Sequence, residues 1–268
     1  MTRTRAITKL YRTALPMRKM GHMVAAAFLL IGNELLSGKV QEANLAELAK
    51  LLRRLGVDFQ RAVMVQDDIE TIVREVRSLR ETHDWVFTSG GVGPTHDDVT
   101  IEAVSRAFGR RVVVDAVLES QIRTHYGDRV KEGHLRMALV PEGAALEVTE
   151  AVPWPVVRVE NTWVLPGVPE AFRRKLEVIE AVWPTVAGVS EPFLSRAVFV
   201  KLDEGELMPL LEKVVTAYPA ISVGSYPKWF DPSYKTKLTF DGKDALELET
   251  AVSAFLALLP PGEPQRTE

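Results

Sequence analysis

In Thr88-Ser89-Gly90-Gly91-Val92-Gly93-Pro94-Thr95-His96-Asp97-Asp98-Val99-Thr100, the end of an apolar run gives way to glycines and then to two adjacent acids. The apolar residues 85–88 predict a buried strand, and the periodicity of residues 99–108 predicts a helix. Glycine allows the backbone between them to approach a ligand closely, and amides ahead of a helix can bind phosphate oxygens. The stretch therefore predicts a strand, a phosphate-binding loop and a helix, with Asp97 and Asp98 placed to hold a cation.

The residues before this stretch repeat the alternation of strand and helix. Residues 24–31 predict a first strand, and apolar positions within residues 45–55 mark one face of a helix. Residues 59–65 predict a second strand, after which we expect Asp67 and Glu70 to cap a second helix. Such alternation favours a mostly parallel sheet covered on both faces, and ligands bind such sheets outside the carboxyl ends of the strands. The turn at Gly32, after the first strand, and the loop at Gly90 both fall at such ends.

The chain divides into four segments. Residues 1–23 carry Arg and Lys before any acid, and we expect a disordered extension or a misassigned start, with a transit peptide as the alternative. Residues 24–184 form the α/β domain. Beyond Pro184 the pattern resets, and residues 185–260 predict a smaller α+β domain of β-α-β-β-α order. We expect the tail, residues 261–268, to be disordered.

Composition narrows the classes of function. The chain has 268 residues and a net charge of −3 with acids and bases interspersed, which gives no bias towards polyanions, so we expect no nucleic-acid partner. Cysteine is absent, which excludes disulfides and thiolate metal sites and agrees with a cytoplasmic location. No apolar run reaches the roughly 20 residues of a membrane span, so we expect no membrane partner.

Two common nucleotide-binding motifs do not fit the glycine loops. The dinucleotide fingerprint Gly-x-Gly-x-x-Gly has His96 where its third glycine should stand. A Walker A motif fails because five residues separate Gly32 from Gly38, and Val40 replaces the metal-binding hydroxyl residue. The phosphate site must therefore belong to another class.

Several motifs and one asparagine occur in a characteristic order and spacing. They are Ile31-Gly32-Asn33-Glu34-Leu35-Leu36-Ser37-Gly38-Lys39, Asn44, Gly90-Gly91-Val92-Gly93-Pro94-Thr95-x-Asp97-Asp98-x-Thr100, Arg136-Met137-Ala138-Leu139-Val140-Pro141-Glu142-Gly143-Ala144 and Leu165-Pro166-Gly167-Val168-Pro169-Glu170. These motifs resemble the N-terminal region of the competence/damage-inducible protein A (CinA) family over about residues 24–258. The first part also looks like the MoaB/Mog molybdopterin-binding fold. The resemblance implies a three-layer α/β/α domain.

The same resemblance implies a function. CinA-like proteins are associated with metal-dependent hydrolysis of ADP-ribose-type pyrophosphates, and a related domain of FAD synthases hydrolyses FAD. The resemblance thus implies a pyrophosphatase that uses Mg²⁺, Mn²⁺ or Co²⁺, takes a nucleotide diphosphate or a pterin, and forms a homo-oligomer. The deamidase domain of full-length CinA proteins is not seen, so deamidation is not expected. The alternatives are a pterin- or nucleotide-binding protein without turnover and an adenylyltransferase acting on molybdopterin.

Carried over to the matching motifs, the resemblance indicates site residues. We expect Asp98, Asp97 and Glu34 to be catalytic, with Asp98 and Asp97 as metal ligands. All but two of the expected ligand-binding residues can supply a backbone amide, a hydroxyl, a side-chain amide or positive charge; the two exceptions are prolines. The expected residues are Gly32, Asn33, Ser37, Gly38, Lys39, Asn44, Thr88, Ser89, Gly90, Gly91, Gly93, Pro94, Thr95, Pro166 and Gly167. A plainer alternative is that Asp98 only caps the helix after it.

Other features carry weaker expectations. Many relatives have Asp where Asn33 and Glu42 stand, which could weaken a metal site and favour binding without turnover. We expect His96 to be an exposed loop residue and Arg173-Arg174-Lys175 to be solvated charge. The pair Trp229-Phe230 suits either a hydrophobic lid or a subunit contact, and sequence does not choose between them.

Overall fold

The computed structural model describes residues 23–230 and 232–268. The chain forms two compact units that divide between Ser190 and Glu191. Except for Met23, the N-terminal extension predicted at residues 1–23 lies outside the described residues.

Within the described residues, the first unit contains eight strands. They are β1 (Ala25–Ile31), β2 (Asp58–Val65), β3 (Trp85–Ser89), β4 (Val112–Val114), β5 (Leu139–Pro141), β6 (Ala145–Glu147), β7 (Val156–Val159) and β8 (Thr162–Leu165). Six of them form one sheet in the order β2-β1-β3-β8-β7-β6, and β4 pairs with β5 separately. Strands β2, β1, β3 and β8 run parallel, and β7 and β6 continue the sheet antiparallel. The mostly parallel sheet is as predicted.

Helices cover both faces of this sheet. They are α1 (Asn33–Leu36), α2 (Asn44–Arg54), α3 (Ile69–Thr82), α4 (Thr100–Ala107), α5 (Ala116–Tyr126), α6 (Glu132–Arg136) and α7 (Pro169–Val186). Side chains of β1 alternate between two cores: Phe28 packs with α2 and α7, and Leu29 packs with α3 and α4. The result is the three-layer α/β/α arrangement that the resemblance implies.

Helix α7 runs through Pro184, where we expected the first domain to end. A proline in the last turn removes one backbone hydrogen bond close to the point where the helix stops anyway, so the helix continues to Val186. The boundary between the units consequently follows Ser190 rather than residue 184. Neither α7 nor any other helix in the described ranges is long and apolar enough to cross a membrane.

The second unit is a four-stranded antiparallel sheet with helices. Its elements are β9 (Leu194–Val200), α8 (Glu204–Ala217), β10 (Ser222–Pro227), β11 (Thr236–Gly242), α9 (Ala245–Leu256) and β12 (Arg266–Thr267). The strand order is β10-β11-β9-β12. Apolar side chains of α8, α9 and the sheet, among them Phe240 and Phe255, form a separate core. The predicted β-α-β-β-α succession is present, and a further strand extends it.

That further strand corrects the prediction that residues 261–268 are disordered. The amide of Gln265 donates to the Phe199 carbonyl (2.8 Å), and Ala197 and Glu268 exchange two backbone hydrogen bonds (2.7 and 2.8 Å). The Arg266 guanidinium lies 3.9 Å from the centre of the Phe199 ring. The prediction was wrong because a two-residue polar strand has no hydrophobic period to recognise, and the exposed edge of β9 determines its pairing.

Candidate functional site

Three neighbouring strands end in glycine loops that pack directly on one another. The loops after β1, β3 and β8 contain Gly32, Gly90 and Gly167 respectively. Gly90 has φ +104°, and a Cβ atom there would lie 2.0 Å from the Ile31 carbonyl oxygen. A Cβ atom on Gly167 would lie 3.3 Å from the Gly90 Cα. These positions leave no room for side chains, so the loops form one compact surface at the carboxyl ends of the strands.

Asn44 fastens two of these loops from below. Its Nδ2 donates to Ser89 Oγ (3.0 Å) and to the Gly167 carbonyl (2.8 Å), and Ser89 Oγ donates to the Pro166 carbonyl (3.2 Å). Asn44 is 5% exposed, and its Oδ1 has no hydrogen-bond partner among the described residues. We expected Thr88 and Ser89 to offer hydroxyls to a ligand, but both side chains are buried beneath the loop. Asn44 and Ser89 therefore support the loops.

The loop after β3 offers amides from its two inner glycines. The Gly90 amide, expected to bind a ligand, is occupied because it donates to the Leu165 carbonyl (3.1 Å). The amides of Gly91 and Gly93 have no acceptor among the described residues. Gly91 has φ +65°. Helix α4 begins further along the chain at Thr100, and Thr100 Oγ1 donates back to the Gly90 carbonyl (2.8 Å). The loop is thus held in shape with two amides available for an anion.

Asp98 shapes this loop. Its Oδ2 accepts hydrogen bonds from the amide (2.7 Å) and the hydroxyl of Thr95, and a Cβ atom on Gly93 would lie 2.7 Å from the same oxygen. Helix α4 has no side-chain cap, so the alternative that Asp98 caps that helix is wrong. Asp97 remains more exposed, and hydrogen bonding from Thr95 lowers its pKa. The Thr95 hydroxyl has a single hydrogen, which Asp97 and Asp98 must share. The hydrogen bond from the Thr95 backbone N–H therefore holds Asp98 more firmly.

Sequence reasoning missed Asp67 as a site residue. Asp68, and not Asp67, caps α3 by accepting from the Thr71 amide (2.9 Å). Asp67 Oδ2 instead accepts from the Asn33 amide (2.8 Å) in the loop after β1. Its pKa is raised by burial and also by the negative charges of Glu34 and Asp97, while the Asn33 amide acts in the opposite direction. The available signal was position, because Asp67 follows β2 at the same end of the sheet.

The acids at this end do not by themselves make a metal site. Among residues 23–230 and 232–268, no three His, Cys, Asp or Glu side chains are grouped closely enough to hold a metal ion. The negative charges of Glu34 and Asp97 nevertheless both act on Asp67, and a cation would relieve that repulsion. Mg²⁺ is commonly held by one or two carboxylates together with phosphate oxygens of a ligand. The donor set fits a cation that arrives with its ligand. His96 is exposed, as expected.

An open pocket of about 520 Å³ adjoins Glu34. Its lining is Asn33, Glu34, Leu36, Ser37, Lys39 and Gln66. Four of these residues were predicted to be in the site, whereas Leu36 and Gln66 were not. Leu36 is half exposed, which gives the otherwise polar pocket one apolar wall. Gly38 adopts φ +71° between Ser37 and Lys39, so the first loop bends as only glycine does readily.

Lys175 is not the solvated charge that the basic run predicted. The residue is 8% exposed, and its Nζ donates to the carbonyls of Trp154 (2.6 Å) and Pro155 (2.8 Å). Burial lowers its pKa to about 8. The lysine fixes the 153–155 turn against α7.

Comparisons with known proteins match both units. Residues 27–184 match the family described as "Probable molybdopterin binding domain", and residues 192–268 match "FAD synthase, middle domain". A protein of Archaeoglobus fulgidus is 32% identical over 85% of this chain and 95% of its own length. A "Probable FAD synthase" of Caenorhabditis briggsae is 32% identical over 89% of this chain, which spans only 50% of that protein. The crystal structure of a CinA protein of unknown function from Thermoplasma acidophilum covers 61% of this chain and 98% of its own, with 27% identity and a TM-score of 0.54.

Proposed function

Because the chain belongs to the family described as the probable molybdopterin binding domain, we propose that its glycine loops bind the diphosphate of a nucleotide and that the adjoining acids support hydrolysis of the P–O–P bond. One observation carries the proposal. The amides of Gly91 and Gly93, which have no acceptor among the described residues, belong to the same loop as Asp97, whose charge acts on Asp67 together with that of Glu34. Anion donors and carboxylates side by side suit a phosphate that binds with a cation.

The loops would hold the ligand in place. Amides of Gly91 and Gly93 donate to phosphate oxygens, and Lys39 adds positive charge from the first loop. The pocket beside Asn33 and Gln66 receives another part of the nucleotide. ADP-ribose follows from the resemblance to CinA proteins, and FAD from the relatives named probable FAD synthases.

The acids would support the chemistry. A divalent cation, when bound, would neutralise phosphoryl charge and make water more acidic; Asp67 and Glu34 would hold it. Asp97, whose carboxylate is ionised at neutral pH, would accept a proton from the attacking water. The water oxygen forms a bond to one phosphorus, and the bond from that phosphorus to the bridging oxygen breaks. The two products are AMP and the other phosphate monoester.

A matched pair of variants tests hydrolysis. Purified protein is incubated with ADP-ribose, FAD or NAD and Mg²⁺, Mn²⁺ or Co²⁺, and AMP is measured by chromatography. Asp67→Asn should lose most AMP release, whereas Asp68→Asn should retain it because asparagine also caps helices. Absence of AMP with every metal from correctly folded wild type would refute hydrolysis.

Binding without turnover is the second candidate. Two observations favour it. Among the described residues no three His, Cys, Asp or Glu side chains are grouped closely enough to hold a metal ion, and Asn33 stands where many relatives have Asp. Calorimetric titration separates the two: this candidate predicts ADP-ribose or pterin binding with no AMP formed.

A further inference from the structure

Strand β10 is an outer strand of the second unit's sheet. In the described part of the chain its one strand neighbour is β11. The amide of Lys228 donates to the Lys235 carbonyl (2.7 Å), and this bond sets the alternation along the antiparallel pair. In the same register, Gly224 and Tyr226 direct their backbone groups towards β11. Val223 and Ser225 therefore direct theirs away from the sheet. Pro227, next in that outward series, needs no N–H there.

The outward side of β10 lacks the charged side chains that usually protect an edge strand, although Pro227 stands at its end. Edges of monomeric proteins commonly carry charged side chains, but Ser222–Pro227 has none. Large apolar side chains continue the strand into solvent: Tyr226 is 55% exposed, Trp229 80% and Phe230 fully exposed. Exposed aromatic side chains beside an unpaired strand mark an interaction surface.

We propose that β10 pairs with β10 of a second copy of this chain, antiparallel about a two-fold axis at Gly224. In this register Val223 of one copy lies opposite Ser225 of the other, and each such pair exchanges two backbone hydrogen bonds. The sequence of the edge is thus complementary to itself, as a two-fold interface requires. In this register Pro227, which lacks a donor, lies level with residue 221 of the second copy and therefore opposes no residue of the second copy's β10.

Side chains around the axis agree with this occupant. A Cβ atom on Gly224 would lie 2.9 Å from the Tyr226 ring of its own chain, so the two Tyr226 rings flank the axis. The same register places Trp229 level with residue 219 of the second copy. The exposed Trp229 and Phe230 are then covered by the loop that precedes β10 there.

Disulfide trapping tests the register, because the chain has no cysteine. The proposal sets Ser222 opposite Tyr226 as a non-hydrogen-bonded pair, with Cα atoms about 4.5 Å apart, which suits a disulfide. Ser222→Cys and Tyr226→Cys proteins, mixed, equilibrated and oxidised, should cross-link to each other. Each alone should not, because identical positions are four residues out of register, about 13 Å apart. Leu246→Cys, exposed on α9, should cross-link with neither.

Mass measurement supplies the second test. By light scattering the full wild-type chain should weigh twice its 29.8 kDa, and the double variant Trp229→Ser, Phe230→Ser should dissociate about 30-fold more readily. A monomer at all concentrations overturns the proposal, as does a dimer that fails to form the mixed cross-link. If wild-type protein instead stays monomeric and binds anionic vesicles or single-stranded DNA, the proposal is also overturned.

Discussion

Replacing Gly91 with alanine should disrupt the loop after β3 by more than its backbone angle explains. Gly91 and Gly109 have almost the same φ, +65° and +62°. A Cβ atom on Gly91 would lie 2.4 Å from Thr100 Oγ1, whereas a Cβ atom on Gly109 meets nothing within 4 Å. Gly109→Ala is therefore a control with equal backbone strain and no clash.

The expected cost has two parts. Both substitutions place alanine in the left-handed region, at about 1–2 kcal/mol. In Gly91→Ala the Thr100 hydroxyl must also move, which breaks its 2.8 Å bond to the Gly90 carbonyl. A lost hydrogen bond that leaves a buried group unsatisfied costs about 1–3 kcal/mol more. Gly91→Ala should thus destabilise the first unit by about 2–5 kcal/mol in total, and Gly109→Ala by about 1–2 kcal/mol.

Urea unfolding measures this difference. Trp85, Trp163 and Trp183 lie in the first core, so their fluorescence reports that unit, and ligand titration reports the loop. Gly91→Ala should also weaken nucleotide binding, and Gly109→Ala should not. Equal losses of stability in the two variants would refute the steric argument.

Three further predictions concern other parts of the chain. Asn44→Ala removes the tie between Ser89 and Gly167 and should cost about 1–3 kcal/mol of unfolding free energy and weaken ADP-ribose binding; calorimetry with neither effect would contradict the role of Asn44. Lys175 gives up its proton near pH 8 when folded but keeps it until about 10.5 when unfolded, so wild-type stability should gain about 1–3 kcal/mol between those pH values. Urea unfolding of Lys175→Met at both pH values should lack that gain, and a gain of equal size would contradict the assignment. Deleting residues 265–268 should remove hydrogen-exchange protection from the Ala197 amide; unchanged protection would support the disordered tail.

Sequence reasoning went furthest where local chemistry decides structure. Positive φ at Gly90 and Gly91 accounts for the glycines, and the strand, loop and helix formed where the pattern predicted them. The Thermoplasma acidophilum structure confirms the resemblance to the CinA N-terminal region. These features depend on neighbours in sequence, so a single sequence carries them.

It failed where a distant partner decides. The pattern favours Asp67 as the cap because Glu70 follows three residues later. The Asn33 amide, 34 residues earlier, instead binds Asp67, and Asp68 caps the helix. Lys175 sits in a basic run that looks solvated, and two carbonyls near residue 154 bury it. Asp98 is a different case: its partner Thr95 is only three residues away, yet the pattern did not show that this acid turns back into its own loop.

A crystal structure with ADP-ribose and Mn²⁺ would test the central claim most directly. The account predicts the diphosphate on the amides of Gly91 and Gly93, with the anomalous manganese peak between it and the Asp67 carboxylate. A diphosphate bound elsewhere, or a manganese peak remote from Glu34, Asp67 and Asp97, would contradict the account.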